Sequence, residues 1–332
     1  MTATAESLLE AADPQLAATV ARGLEQVEQR LGDVVGSAHP LLEVTSRHLA
    51  EAGGKRVRPL LALLAAHLGD PQADGVVEAA VVVELTHLAT LYHDDVMDEA
   101  LVRRGAPSAN SRWTNTVAIL TGDYLFARAS DLTAGLGTEA THLQARTFGR
   151  LVEGQISETA GPADGEDPVE HYLAVLADKT ASLIATSARL GALMAGAPTA
   201  HVDAVARFGE VFGTAFQLSD DLIDVLSETG DSGKTPGTDL REGIRTLPVL
   251  LVLAGNDPQG ARLRELLGGD LTADDDLAEA LALLRAHPAM EQARAHLRGY
   301  VQAAREVAGE LPAGPVREAL SDLATFVLAR SG

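Results

Sequence analysis

The sequence predicts an all-α fold on three observations. Apolar residues recur at helical spacing along most of the chain, and no alternating β pattern of useful length interrupts them. Only 3% of residues are aromatic, and Ala and Leu take their place. A chain of that composition packs helices closely through small side chains. With 332 residues, 46% of them hydrophobic, it can bury a sizeable core. One domain over residues 1–332 is expected, a bundle of antiparallel helices, with a motif-bearing core at about residues 53–248.

Taken in order, residues 13–36 repeat Leu16, Val20, Leu24, Val27, Leu31 and Val34 at helical spacing. A second helix, 41–52, ends at Gly53-Gly54, the usual helix stop. Lys55-Arg56-Val57-Arg58-Pro59 then opens a helix over 60–68. Cations at a helix N-terminus, where free N–H groups already attract anions, suit a phosphate. Residues 76–98 form the first long helix, with Val83, His87, Asp94 and Asp98 on one face. Arg103-Arg104-Gly105 then provides two cations a short turn beyond the acids. Helices are expected at 115–132 and 138–157, then a loop over 161–168, then one long apolar helix over 169–196 into which Asp178-Lys179-Thr180 is set. Residues 205–222 run into the second acidic stretch, and 228–239 is a loop carrying Lys234 that is suited to closing over a ligand. The C-terminal third alternates amphipathic helices with breaks at 256–258, 268–270, 287–288 and 312–315.

Composition excludes several functions. A formal charge of -21 repels nucleic acid. The absence of cysteine removes disulfides, thiolate metal sites and a cysteine nucleophile, and fits a reducing cytoplasm. Glu6, Glu10 and Asp13, with no early Lys or Arg, do not make a signal peptide. Charged residues or His interrupt each apolar run before it reaches a membrane span, so a soluble protein is expected.

The chemistry lies in two acidic triads. Asp94, Asp95 and Asp98 close one apolar helix, and Asp220, Asp221 and Asp224 close another. Two solvated acidic faces would account for the same residues, but Thr86 to Leu91 and Phe212 to Leu218 are nearly uncharged, as core helices are. Six carboxylates facing one another would hold a hard cation with oxygen ligands, Mg²⁺ before Zn²⁺. Because Mg²⁺ completes its shell with water and phosphate, a diphosphate ligand fits. Lys55, Arg58, Arg103, Arg104, Lys179 and Lys234 are more cations than one diphosphate needs, which suggests two phosphorylated substrates.

These landmarks resemble the all-trans isoprenyl diphosphate (polyprenyl) synthases from about Gly53 to Pro248. The matching stretches are Gly53 to Pro59, the triad at Asp94 to Asp98 with Arg103-Arg104-Gly105, Gly122-Asp123-Tyr124-Leu125, Lys179-Thr180, and Gln217 with the triad at Asp220 to Asp224. Gly233-Lys234 and Asp239-Leu240-Arg241-Glu242-Gly243 close the series. The resemblance implies an isoprenoid-synthase bundle around a central deep cavity, and head-to-tail condensation of isopentenyl diphosphate with an allylic diphosphate. It implies that Asp94, Asp98 and Asp220 bind several Mg²⁺ ions bridged by substrate diphosphate, with Asp95, Asp221 and Asp224 in support. Arg103, Lys179, Thr180, Gln217 and Lys234 would hold the allylic diphosphate; Lys55, Arg58, His87 and Arg104 would hold isopentenyl diphosphate. Asp94, Asp98, Arg103, Lys179, Asp220 and Lys234 are the expected catalytic set. A homodimer is implied as well, and product release calls for transient contact with a membrane.

In this family the fourth and fifth residues before the first triad floor the pocket, and here they are Thr90 and Ala89, neither of them bulky. With Thr86 and Val83 they leave a small-residue stripe of roughly 16 Å from Asp94, so a long-chain product of the kind used for quinones is expected. A short-chain farnesyl or geranylgeranyl diphosphate synthase is the nearest alternative. A terpene cyclase needs only one diphosphate site, and the non-catalytic subunit of a heteromeric synthase typically lacks landmarks that this chain keeps.

Overall fold

A computed structural model describes residues 13–227 and 236–330. Helices account for 76% of the chain, and the all-α expectation holds. The helices are α1 (Pro14–Val35), α2 (Pro40–Glu51), α3 (Val57–Ala66), α4 (Val76–Met97), α5 (Ala109–Arg112), α6 (Asn115–Gly135) and α7 (Thr138–Ala160). They continue as α8 (Pro168–Leu176), α9 (Ser182–Met194), α10 (Thr199–Leu226), α11 (Thr238–Arg241), α12 (Leu247–Ala254), α13 (Ala261–Leu267), α14 (Asp274–Ala286), α15 (Pro288–Ala308) and α16 (Pro315–Ala329). Among the described residues the only sheet is a hairpin of β1 (Val102–Arg103) and β2 (Ala106–Pro107), antiparallel with Val102 opposite Pro107.

The chain divides into two compact units. One comprises Met1–Arg150, Ser182–Gly209 and Val307–Asp322; the other comprises Leu151–Ala181, Glu210–Glu306 and Leu323–Gly332.

In the first unit, α3 is buried at every position except Arg58. Small residues let its neighbours approach at backbone distance. A Cβ on Gly191 of α9 would stand 1.9 Å from the Ala62 carbonyl oxygen of α3, and one on Gly122 of α6 would stand 3.1 Å from the Ala89 carbonyl oxygen of α4. Tyr92 is the large anchor of α4: its buried phenol donates to the Thr45 carbonyl and accepts from the Leu49 amide at 3.2 Å, tying α2 to α4. Tyr92 therefore serves packing. In the second unit, Val175 and Leu176 of α8, Leu218 and Leu222 of α10 and Val249 and Val252 of α12 are all buried.

Three local expectations change. The third helix starts at Val57 rather than residue 60, because Pro59 is tolerated in a first turn whose N–H groups lack helical partners. Residues 169–196 are not one helix: a π turn at Ala177–Ala181 separates α8 from α9 and takes Asp178, Lys179 and Thr180 out of α register. Gly154 of α7 lies against this turn, where a Cβ would be 2.7 Å from the Lys179 amide nitrogen. Finally, α4 is long and apolar enough to cross a membrane despite Glu84 and His87, but it is a largely buried core helix. Of the loop expected at 228–239, residues 228–235 with Lys234 lie outside the described residues, and its last residues are helical from Thr238 in α11.

The close helix contact gives a sharp contrast between two glycines. Gly191→Ala should destabilise the protein by about 3 kcal/mol through backbone overlap. Gly149→Ala, whose Cβ meets nothing within 4 Å on α7, should stabilise it by about 0.5–1 kcal/mol. Urea unfolding midpoints of the two variants check this.

Candidate active site

In the first unit the acidic triad sits where α4 ends. Asp98 caps the helix, its amide donating to the Asp94 carbonyl at 2.8 Å, so the two aspartates lie one turn apart. Asp94 is half-buried, Asp98 is 39% exposed at its side chain, and Asp95 is fully buried. Arg103 on β1 pairs with Asp95, Nε to Oδ1 at 2.6 Å, and reaches Asp98 at 3.9 Å. Burial still pushes the Asp95 carboxyl above its ordinary value, against the pull of Arg103. The tight turn that presents Arg103 has positive φ at Arg104 and Gly105, 55° and 76°.

Beside the triad stands a cationic cluster. Arg56, in the left-handed region at φ 50°, is buried and holds Glu84 at 2.6 Å, Glu28 at 3.0 Å and the Ala50 carbonyl at 2.9 Å. Arg104 donates to the Leu49 carbonyl at 3.0 Å and to the Gly53 carbonyl, and lies 3.7 Å from Glu84. Lys55 is exposed and Arg58 half-buried. The His87 ring is held well below the ordinary histidine range, first by desolvation and then by Arg58, Arg104, Arg103 and Arg56. In a chain of charge -21, arginines gathered around a neutral imidazole make a place for an anion. Of the expected pocket residues, Val83, Thr86 and Ala89 are buried and Thr90 is half-buried. The Thr86 and Thr90 hydroxyls donate within the helix, to Val82 and His87 carbonyls at 2.8 Å each.

In the second unit each acid of the second triad has its own partner. Asp220 accepts from Arg330 at 2.7 Å, and that guanidinium also bonds Ser219 Oγ at 3.0 Å and stacks on Phe216 at 4.4 Å. Asp224 accepts the amides of Thr238 at 3.3 Å and Asp239 at 3.2 Å. Asp221, 6% exposed, accepts from Gln217 Nε2 at 2.8 Å and from the Tyr172 hydroxyl. Burial is the main reason the Asp221 carboxyl is raised to about 6, and it also raises the Tyr172 phenol. The π turn holds Lys179 in a close ion pair with Glu158 and puts Thr180 Oγ1 3.4 Å from Gln217 Oε1.

Among the described residues no three carboxylate or imidazole groups form a ready metal cage. The donor chemistry of each triad, taken by itself, suits a hard divalent cation: half-buried Asp94 and exposed Asp98 at the end of a helix in the first unit are carboxylates, as are Asp220 and Asp224 in the second. Sequence reasoning missed Glu84, Glu158, Tyr172 and Arg330. Glu84 had a signal, being the sole carboxylate between Glu78 and Asp94 in an apolar helix. Arg330 had none, since its partner lies 110 residues away.

The polyprenyl synthetase family profile matches residues 39–284. The nonaprenyl diphosphate synthase of Mycobacterium tuberculosis is 48% identical over 331 residues, 99% of each chain. Among solved structures, the geranylgeranyl pyrophosphate synthase of Corynebacterium glutamicum complexed with calcium and isoprenyl diphosphate matches with a TM-score of 0.87 at 48% identity, over 96% of this chain and 98% of that one. A decaprenyl diphosphate synthase from Rhodobacter capsulatus matches with a TM-score of 0.85 at 36% identity, over 96% of this chain and 99% of that one.

The depressed His87 value has a consequence for stability. The unfolded chain takes up the histidine proton first, so this contribution is present above the ordinary value of 6.5 and is lost as pH falls below it. His87→Gln should therefore show a flatter dependence of unfolding free energy on pH than the parent between about pH 7 and 5, measured by urea titration at each pH.

Proposed function

Because the chain belongs to the polyprenyl synthetase family and is a trans-prenyltransferase, we propose that it adds isopentenyl diphosphate head-to-tail to farnesyl or geranylgeranyl diphosphate and makes a long-chain all-trans polyprenyl diphosphate for quinone side chains. The observation that carries this reading is the arginine cluster beside the triad at the end of α4, where Arg103 pairs with Asp95 at 2.6 Å and Arg104 follows in the same tight turn. An anion site beside carboxylates suits a metal-bridged diphosphate and little else.

In each cycle the allylic C–O bond breaks, leaving diphosphate and an allylic cation. The double bond of isopentenyl diphosphate attacks the cation to form the new C–C bond, and a proton then leaves to a diphosphate oxygen. Asp94, Asp98 and Asp220 would hold Mg²⁺, with Asp95, Asp221 and Asp224 in support; the ions, when bound, supply charge that stabilises the departing diphosphate. Arg103 and Lys179 contribute cationic donors to the same diphosphate, as would Lys234, and Thr180 and Gln217 border the allylic group. Lys55, Arg58, His87 and Arg104 bind isopentenyl diphosphate, which favours transfer only if it is held beside the cation and away from water. His87 is then neutral and donates one N–H.

Overall similarity does not choose the product length, because the nonaprenyl and geranylgeranyl enzymes are equally identical to this chain. The small side chains of Ala89, Thr90, Thr86 and Val83 support the longer product. Residues of both compact units lie within the 39–284 family match, which supports one catalytic domain. Exposed Ile119 and Leu120 on α6, and Phe148, Val152 and Ile156 at four-residue spacing on α7, support a homodimer. The absence of cysteine supports a cytoplasmic site of action.

Purified protein with Mg²⁺, isopentenyl diphosphate and farnesyl diphosphate should yield polyprenols beyond the C20 length after dephosphorylation. Thr90→Phe should shorten the main product by several isoprene units while keeping the first condensation. A parent product that stops at C20 would overturn the long-chain reading. Light scattering of the same preparation should give twice the 34.6 kDa chain mass, and a single-chain mass would remove the dimer.

A further inference from the structure

Asp221 has its two carboxylate oxygens taken by neutral side chains of the protein, Tyr172 on α8 and Gln217 one turn earlier on α10. An acceptor-only carboxylate fixes which way the Gln217 amide turns, because only its NH₂ end can donate to Asp221. The carbonyl end, Oε1, is then left facing the Thr180 hydroxyl at 3.4 Å, on the π turn that also carries Lys179. A chain of contacts therefore runs from Tyr172 through Asp221 and Gln217 to Thr180, entirely within the second unit.

We propose that Tyr172 is a positioning residue for prenyl transfer: its hydroxyl locks Asp221, and Asp221 in turn holds Gln217 with its carbonyl oxygen toward the reacting allylic group. Tyr172 suits the task because its hydroxyl can donate to a carboxylate, which can only accept. A carbonyl oxygen turned to that side favours positive charge, whereas an amide NH₂ turned there would oppose it. With the Tyr172 hydroxyl gone, Asp221 keeps a single donor and its carboxylate can turn, carrying the Gln217 amide with it and its carbonyl oxygen away from Thr180. Tyr172 itself has no part in holding metal, so when its hydroxyl alone is removed metal affinity and turnover should separate. The inference rests on the prenyl-transfer reading above.

The test is Tyr172→Phe, with Asp221→Asn as an isosteric second variant in case the first fails to fold. In Asp221→Asn the new NH₂ group faces Gln217 and reverses the amide. Each variant should lower kcat about tenfold and leave both substrate KM values within about twofold, and Tyr172→Phe should leave Mn²⁺ affinity unchanged by equilibrium titration. The pair of changes together should cost no more than the larger single loss, since both act through one amide. Turnover within twofold of the parent, losses that multiply, or a shift in the Mn²⁺ affinity of Tyr172→Phe matching its loss of turnover would overturn the role of Tyr172 and leave prenyl transfer standing. A parent protein without prenyl transfer overturns both.

Discussion

Carboxylates crowded at one place repel, and this chain depends on the groups that hold them there. Two unit charges 4 Å apart near a protein surface interact by about 4 kcal/mol, a large part of the stability of a whole domain. Each triad offsets that cost differently. Arg103 serves Asp95 and Asp98 together, whereas the second triad distributes Arg330, the Tyr172–Gln217 pair and two backbone amides over Asp220, Asp221 and Asp224. Glu84 is the mirror case, a single buried carboxylate that steadies Arg56 and Arg104. Removing one partner of such a buried set leaves the other charge uncompensated, typically at a cost of about 3–5 kcal/mol.

The arrangement also divides structural from reactive groups. Arg56 and Asp95 are buried and committed to protein partners, so they hold the frame. Asp98, Lys55 and Arg58 keep exposed surface, and Lys179 and Asp220 sit in ion pairs with Glu158 and Arg330 that a metal or phosphate can replace. The backbone supports this division. Gly122 lets α6 lie against α4 at Ala89 and His93, next to Asp94, so the close approach of two helices sets where the first triad ends. That is a physical reason for glycine in the stretch Gly122-Asp123-Tyr124. The Tyr124 hydroxyl fastens the same helix to the Gly36 carbonyl at 2.6 Å.

Much of this was legible in the sequence. Helical spacing predicted α1, α2, α4, α6 and α7 to within a few residues, because each buries one continuous apolar face or is apolar throughout. The triads and the basic run at Lys55 to Arg58 were visible because their side chains lie close along the chain. What stayed hidden depends on distant partners. The π turn at Ala177–Ala181 forms where Gly154 packs against it, and no local breaker announces it. Arg56 reads as one more phosphate cation until Glu84 and Glu28, each 28 residues away, claim it. The pairing of Tyr172 with Asp221 spans 49 residues, and the phenol carries no motif of its own.

The central claim is that the first triad works in metal-dependent prenyl transfer rather than in folding. The most direct measurement is Mg²⁺-dependent turnover of Asp94→Ala with isopentenyl and farnesyl diphosphates, beside its circular dichroism and melting temperature. Loss of at least about a hundredfold in kcat with helical content and melting temperature retained is the predicted result. Turnover close to that of the parent would contradict the account.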